Sequence, residues 1–146
     1  MKVIIGNDHA AIGLKQDIMI HLEAMDDYCV ADIGAQDKSG SDYPDYAREV
    51  CKMVLNDGYD KGILLCGTGA GMCMAANKVK GIRAVVCSDP YTAQLARAHN
   101  DANILCLGAR VVGSELAKSI VDTFLVEPFA GGRHTARVAK IMDIEL

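Results

Sequence analysis

The chain has 146 residues, 51% of them apolar and 23% charged, with a formal net charge of −4 and no tryptophan. That length suits one domain burying roughly 68–70% of its unfolded surface, and it excludes a cofactor domain joined to a separate substrate domain. An acidic balance without a basic run argues against nucleic acid, and no uncharged apolar stretch approaches the roughly 18–20 residues of a membrane span.

The sequence enters a strand-like run at residues 3–6 with no signal-peptide pattern. Leu14, Ile18, Leu22 and Met25 then fall at i, i+4, i+8 and i+11, one stripe of a first helix. A second strand is expected at 30–33. Asp42 caps the next helix, with Pro44 in its first turn, Tyr46, Val50 and Val54 as its stripe, and Gly58 just past its end. A third strand, 62–66, runs into a glycine-rich turn and a helix through Ala75 and Ala76 that stops at Gly81. The fourth strand is 83–87, and Asp89-Pro90 opens a helix to about Ala98. After a fifth strand at 104–107, Ser114 opens a helix facing Leu116, Ile120, Val121 and Phe124 inward, and Gly131-Gly132 precedes a last helix over about 133–144. The near-continuous apolar runs suit strands buried on both faces. Their alternation with helices predicts an α/β fold: a three-layer α/β/α Rossmann-like sandwich on a five-stranded parallel sheet, one domain over residues 1–146.

The six cysteines (29, 51, 66, 73, 87 and 106) include no CxxC pair, so neither zinc nor thioredoxin-type chemistry is expected. They fit a cytoplasmic protein with reduced thiols, mostly packed as small hydrophobes.

Ligands of open parallel sheets bind beyond the carboxyl ends of the strands. There the sequence places Asn7-Asp8-His9, then Ser41 to Pro44, Cys66-Gly67-Thr68-Gly69-Ala70-Gly71, Ser88-Asp89 and Gly108-Ala109-Arg110. The glycine run gives backbone N–H groups room to converge on an anion, although it also fits a tight turn that needs glycine for sterics. It lacks the third glycine of a dinucleotide fingerprint, since Met72 stands there, and it lacks the Gly-Lys-Ser/Thr of a Walker loop. Cys66 sits where a thiolate is favoured and can act as base or nucleophile; alone, it equally suits a buried strand residue. His99 at a helix C-terminus is either an acid/base group or a partner of the helix dipole. Arg133 and Arg137, four apart, form with Arg110 either a phosphate clamp or a solvated basic face. His21 is given no role, and His134 beside the arginines is left unassigned.

Taken in order, Gly6-Asn7-Asp8-His9-Ala10, Asp42-Tyr43-Pro44-Asp45-Tyr46-Ala47, the 66–71 run with Ala75-Ala76-Asn77-Lys78, Gly81-Ile82-Arg83-Ala84, His99-Asn100-Asp101-Ala102-Asn103, Leu107-Gly108-Ala109-Arg110 and Gly131-Gly132-Arg133-His134 resemble one family. It is the sugar-phosphate isomerase family of type B ribose-5-phosphate isomerases and galactose-6-phosphate isomerase subunits, and the resemblance covers essentially the whole chain.

The resemblance implies aldose–ketose isomerisation of ribose 5-phosphate to ribulose 5-phosphate, with neither metal nor organic cofactor. It implies His99 as the ring-opening acid/base, Cys66 as the base that moves a proton between C2 and C1, and Thr68 as a positioning group. Asp8 would bind sugar hydroxyls, and the N–H groups of Gly67, Thr68, Gly69, Ala70 and Gly71 would hold the enediolate oxygen. His9, Arg110, Arg133 and Arg137 would grip the phosphate, with Asn100 and Tyr43 completing the pocket. Another branch of the family carries a carboxylate six positions beyond Cys66; here Met72 cannot take a proton. The resemblance further implies a homodimer, or a tetramer of two dimers, whose shared pocket takes His99, Asn100 and Arg110 across the interface and packs the last helix on the partner subunit. Ala11-Ile12 departs from the family's usual glycine and aromatic, which keeps a six-carbon substrate such as allose 6-phosphate open. A sugar-phosphate-binding module without catalysis is the reading from another class.

Overall fold

In the computed structural model, which describes residues 1–144, five parallel strands form one sheet in the order β2-β1-β3-β5-β4. The central strands β1 (Lys2–Asn7), β3 (Lys61–Cys66) and β5 (Ile104–Gly108) carry the longest apolar runs. Their side chains alternate between two cores, as the two-residue period of a strand requires. Val3, Ile5, Ile63, Leu65, Leu105 and Leu107 face one core; Ile4, Leu64, Cys66, Ile104 and Cys106 face the other. The expectation of strands buried on both faces fails for β2 (Cys29–Asp32) and β4 (Ala84–Val86). Each is an edge strand with one flank uncovered, and Val86 is 42% exposed.

Helices α1 (Ile12–Glu23), α4 (Pro90–Asn100) and α5 (Ser114–Val126) cover the first core, while α2 (Tyr43–Asn56) and α3 (Ala70–Ala76) cover the second. A single 3-10 turn, His9–Ala11, joins β1 to α1, and α6 (Arg133–Met142) lies outside the layers against α4. Asp89 caps α4 as expected, accepting the Thr92 N–H at 2.7 Å; Asp42 occupies the cap position of α2 without a side-chain cap bond.

Several boundaries differ for physical reasons. Met25 lies beyond α1, whose inward residues are Ile18, Leu22 and Lys15. Leu116 is 41% exposed, because the buried stripe of α5 runs through Ala117, Ile120, Val121, Phe124 and Leu125. Helix α3 stops at Ala76 because the Asn77 side chain pairs with the edge strand. Its Nδ2 donates to the Ala84 carbonyl at 2.9 Å, and its Oδ1 accepts the Ala84 N–H at 2.8 Å. The last helix ends at Met142, two residues short of the expected end.

The chain leaves β1 for β2 on one side and returns to β3 on the other. The carboxyl ends of β1 and β3 therefore flank a topological switch point, where doubly wound sheets bind ligands. The Asp8 N–H donates to the Leu65 carbonyl at 3.1 Å and holds the two ends together.

Candidate active site

At the switch point the two loops converge. Cys66 ends β3 and is 5% exposed. The Gly69 N–H donates to its Sγ at 3.1 Å. Gly69 reaches that position with φ +80°, and a Cβ there would fall 2.9 Å from Val86 Cγ2 and 3.0 Å from the Leu107 carbonyl carbon. Only glycine satisfies both the backbone angle and the space. Thr68 Oγ1 accepts the Ala70 N–H at 3.3 Å. Two of the five loop amides expected to hold an oxyanion are thus engaged within the loop itself. The Gly71 N–H, in the first turn of α3, has no hydrogen-bond partner among the described residues.

Tyr43, the first residue of α2, lays its ring over Gly71: a Cβ on that glycine would lie 2.8 Å from the ring's Cζ. The Arg110 N–H donates to the Gly67 carbonyl at 3.0 Å, and its guanidinium lies over Gly67, where a Cβ would come within 3.2 Å of Nη1. Asp8 is buried and accepts the Ala10 N–H at 2.9 Å. The exposed His9 is tied to Ser41, whose Oγ accepts the His9 N–H at 3.1 Å and lies 3.3 Å from ring Nδ1. Met72, where the family's other branch places a carboxylate, is fully buried and offers no titratable atom. Asp8, His9, Tyr43, Cys66, Thr68, Gly67 to Gly71 and Arg110 therefore occupy one edge of the sheet.

His99, Asn100, Arg133 and Arg137 do not join them. They gather at the opposite, amino edge, where α4 ends. His99 stacks on His134 with ring centroids 4.1 Å apart and planes 10° from parallel. The Ala130 N–H donates to the Ala98 carbonyl at 2.9 Å, fixing the approach to α6, whose exposed face carries Arg133 and Arg137. Asp101 closes α4 at φ +47° and accepts Arg97 Nη1 at 2.7 Å and Arg83 Nη2 at 3.1 Å. A cavity of about 220 Å³ beside this end is lined by Asn77, Arg83, Val85, Ala96, Asn100 and Ile141, and touches none of the Cys66 loop. The strand register sets the separation. Cys66 pairs with Gly108 and Gly62 with Ile104, four residues or about 13 Å along β5 at ~3.3 Å each. The end of α4 that carries His99 therefore lies toward the opposite end of the sheet from Cys66. Arg110, expected to travel with His99 and Asn100, stands instead on the Cys66 side.

Three groups went unassigned at the sequence level. His134 is the buried residue of α6 and the platform for His99; its place between Arg133 and Arg137 is the signal that could have marked it. Burial first, then the positive fields of His99, Arg133 and Arg137, hold its ring below the ordinary histidine range. Ser41 fixes His9, which spacing alone does not reveal. Cys73, half-buried on α3, has its thiol lowered to about 7 by a hydrogen bond with Cys106, further helped by Val86 and Asn77 and opposed by burial. Burial pushes Cys51 and Cys87 up to about 12, as befits packing thiols. Among the described residues no cluster of three His, Cys, Asp or Glu could hold a metal ion, and no helix is long and apolar enough to cross a membrane.

The ribose/galactose isomerase family matches residues 3–141. The chain is 51% identical over 144 residues to ribose-5-phosphate isomerase B of Escherichia coli K12, covering 99% of this chain and 96% of that protein. Its fold matches the Clostridium thermocellum ribose-5-phosphate isomerase B at a TM-score of 0.96, with 50% identity over 99% of this chain and 97% of the other. The Mycoplasma genitalium ribose-5-phosphate isomerase B, solved with bound ribulose 5-phosphate, matches at 0.92, with 44% identity over 99% and 95% of the two chains.

Proposed function

This chain belongs to the ribose/galactose isomerase family, and from that membership we propose that it is an isomerase interconverting ribose 5-phosphate and ribulose 5-phosphate. The observation that carries the reading is the Cys66 thiol at the switch point, with the Gly69 N–H on its sulfur and the sugar-binding candidates Asp8 and Tyr43 around it.

Ribose 5-phosphate arrives as a ring. His99 moves the O1 proton to the ring oxygen, breaking the C1–O bond and freeing the aldehyde. The Cys66 thiolate then takes the C2 proton, and the electron pair flows through C1 onto O1 as an enediolate. Return of that proton to C1, with transfer of the O2 proton to O1, gives the ketose with no net gain or loss of atoms. The unengaged Gly71 N–H suits the developing oxyanion, and one such donor is worth about 3–4 kcal/mol in the transition state. Asp8 orients sugar hydroxyls. His9, Arg110, Arg133 and Arg137 hold the phosphate as charge-assisted partners, and Asn100 lines the same pocket.

The division of these residues between opposite edges of the sheet supports a homodimer in which each pocket combines the Cys66 edge of one copy with the His99 edge of the other. Two such dimers would make a tetramer. Arg133 and Arg137 on the exposed face of α6 would then reach the partner's pocket. We place the enzyme in the cytoplasm as a single-domain protein, on its six free thiols.

The test is kcat/KM of the purified protein on ribose 5-phosphate against allose 6-phosphate. The expected result is turnover with the pentose preferred. Preference for the hexose would reassign the substrate, and no turnover of either would overturn the reading.

A further inference from the structure

We propose that Lys15, through its ion pair with Asp32, is a positioning residue for the sugar-binding side of the pocket; this rests on the isomerase reading above. Lys15 is 2% exposed, in the inward stripe of α1, and its Nζ lies 2.8 Å from Asp32 Oδ2. The same Nζ donates to the Ala35 carbonyl at 3.0 Å. That carbonyl also accepts Asn7 Nδ2 at 3.3 Å, while Nδ2 donates to the Asp8 carbonyl at 2.7 Å. Asn7 Oδ1 is buried without a hydrogen-bond partner among the described residues, so the orientation of this amide depends on its donor side alone.

Asp32 is the other anchor. Its Oδ1 accepts the Gly34 N–H at 2.8 Å and its Oδ2 accepts Gln36 Nε2 at 3.0 Å. The turn at Gly34 presses so close to Asn7 that a Cβ there would fall 1.7 Å from Oδ1. Lys15 thus ties together the last residue of β1, which precedes Asp8, and the start of the 34–42 segment. That segment ends in Ser41, which holds His9, and leads into Tyr43, which covers Gly71. Three of the proposed sugar and phosphate contacts hang from one buried ammonium group. A buried ion pair is weak evidence of a stabilising role, since replacing both partners by well-packed apolar residues is often neutral, whereas removing one strands the other charge. Its placement behind the binding loops fits a role in holding geometry.

The experiment compares wild type with Lys15→Met by amide hydrogen exchange and by steady-state kinetics. The methionine matches the lysine stem in size and leaves the largely buried Asp32 carboxylate without its cationic partner. The expected result is a folded variant with a lowered melting temperature, in which exchange at Gly34 and Ala35 is faster by about tenfold beyond any change at Leu105 and Ile120. KM for ribose 5-phosphate should rise about tenfold or more while kcat changes less than about threefold, because the Cys66–Gly69 contact is untouched. Unchanged exchange at Gly34 and Ala35 in the folded variant would overturn the proposal, as would faster exchange with an unmoved KM. If Lys15→Met does not fold, Asp32→Asn, which keeps shape and the Gly34 acceptor but removes the charge, is judged by the same two readouts. Failure of the wild type to turn over ribose 5-phosphate would count against the isomerase reading instead, and the exchange data with the binding affinity for that sugar would still decide the role of Lys15.

Discussion

The imidazole rings of His99 and His134 are stacked 4.1 Å apart, bringing the proposed ring-opening acid/base into contact with a residue that sequence reading left without a role. His134 is held below its ordinary value by burial, then by the positive fields of His99, Arg133 and Arg137. The unfolded chain therefore takes up this proton before the folded one does. The stabilising contribution of the neutral ring is complete above about pH 6.5 and is lost as pH falls to the depressed folded value. An anion seated on Arg133 and Arg137 offsets the positive field. The expected outcome is an NMR titration midpoint for His134 below that of a free histidine, moving up when ribose 5-phosphate binds. A midpoint unmoved by ligand would separate His134 from the phosphate site.

Cys66 carries the carbon proton transfer in this account, and Met72 offers no substitute. Cys66→Ala is expected to lower kcat by about a thousandfold or more with KM within about threefold, since a lost proton carrier acts on the transition state. Steady-state kinetics on ribose 5-phosphate reads both. Retention of most of the activity would remove Cys66 as base.

In the proposed mechanism Arg137 grips the phosphate and takes no part in the chemistry. A charge-assisted hydrogen bond is worth about 1.5–3 kcal/mol, so Arg137→Ala is expected to raise KM about 10–100-fold with kcat little changed. Competitive inhibition by inorganic phosphate should weaken in parallel. An unchanged KM would break the clamp.

Gly71 is needed for contact, since its Cβ position is filled by the Tyr43 ring. Gly71→Ala, on the first turn of α3, suits the helix and should leave the melting temperature nearly unchanged. It displaces Tyr43 from the pocket, and the expected effect is a rise in KM of about fivefold or more, read by kinetics. Tyr43→Ala should then show the same KM, and a double variant no worse than either single one.

Much of this was legible from local chemistry. Proline at the start of α2 and α4, and glycines at 58 and 131–132, marked helix ends because proline fixes the backbone of a first turn and glycine admits the positive φ these positions adopt. The apolar runs marked the strands. Strand order was not legible, because no local pattern states which strand neighbours which. The all-buried Ile104–Gly108 takes the place between β3 and β4, and the half-exposed Ala84–Val86 is left at the edge. Lys15 was missed because a charged residue in an apolar stripe reads as solvent-facing, whereas its stem packs inward and its head meets Asp32. The site residues were identified singly, but their separation into two edges follows from helix direction: α4 starts at the carboxyl edge and delivers His99 to the other.

That separation is the centre of the account, and subunit complementation tests it most directly. Cys66→Ala and His99→Asn are each expected to be inactive on ribose 5-phosphate. Denatured together in equal amounts and refolded, about half the dimers would be hybrids, each with one intact pocket and one doubly damaged. Recovery of about a quarter of wild-type activity is the predicted result. No recovery from a mixture shown to contain hybrid dimers would contradict a pocket built from two copies.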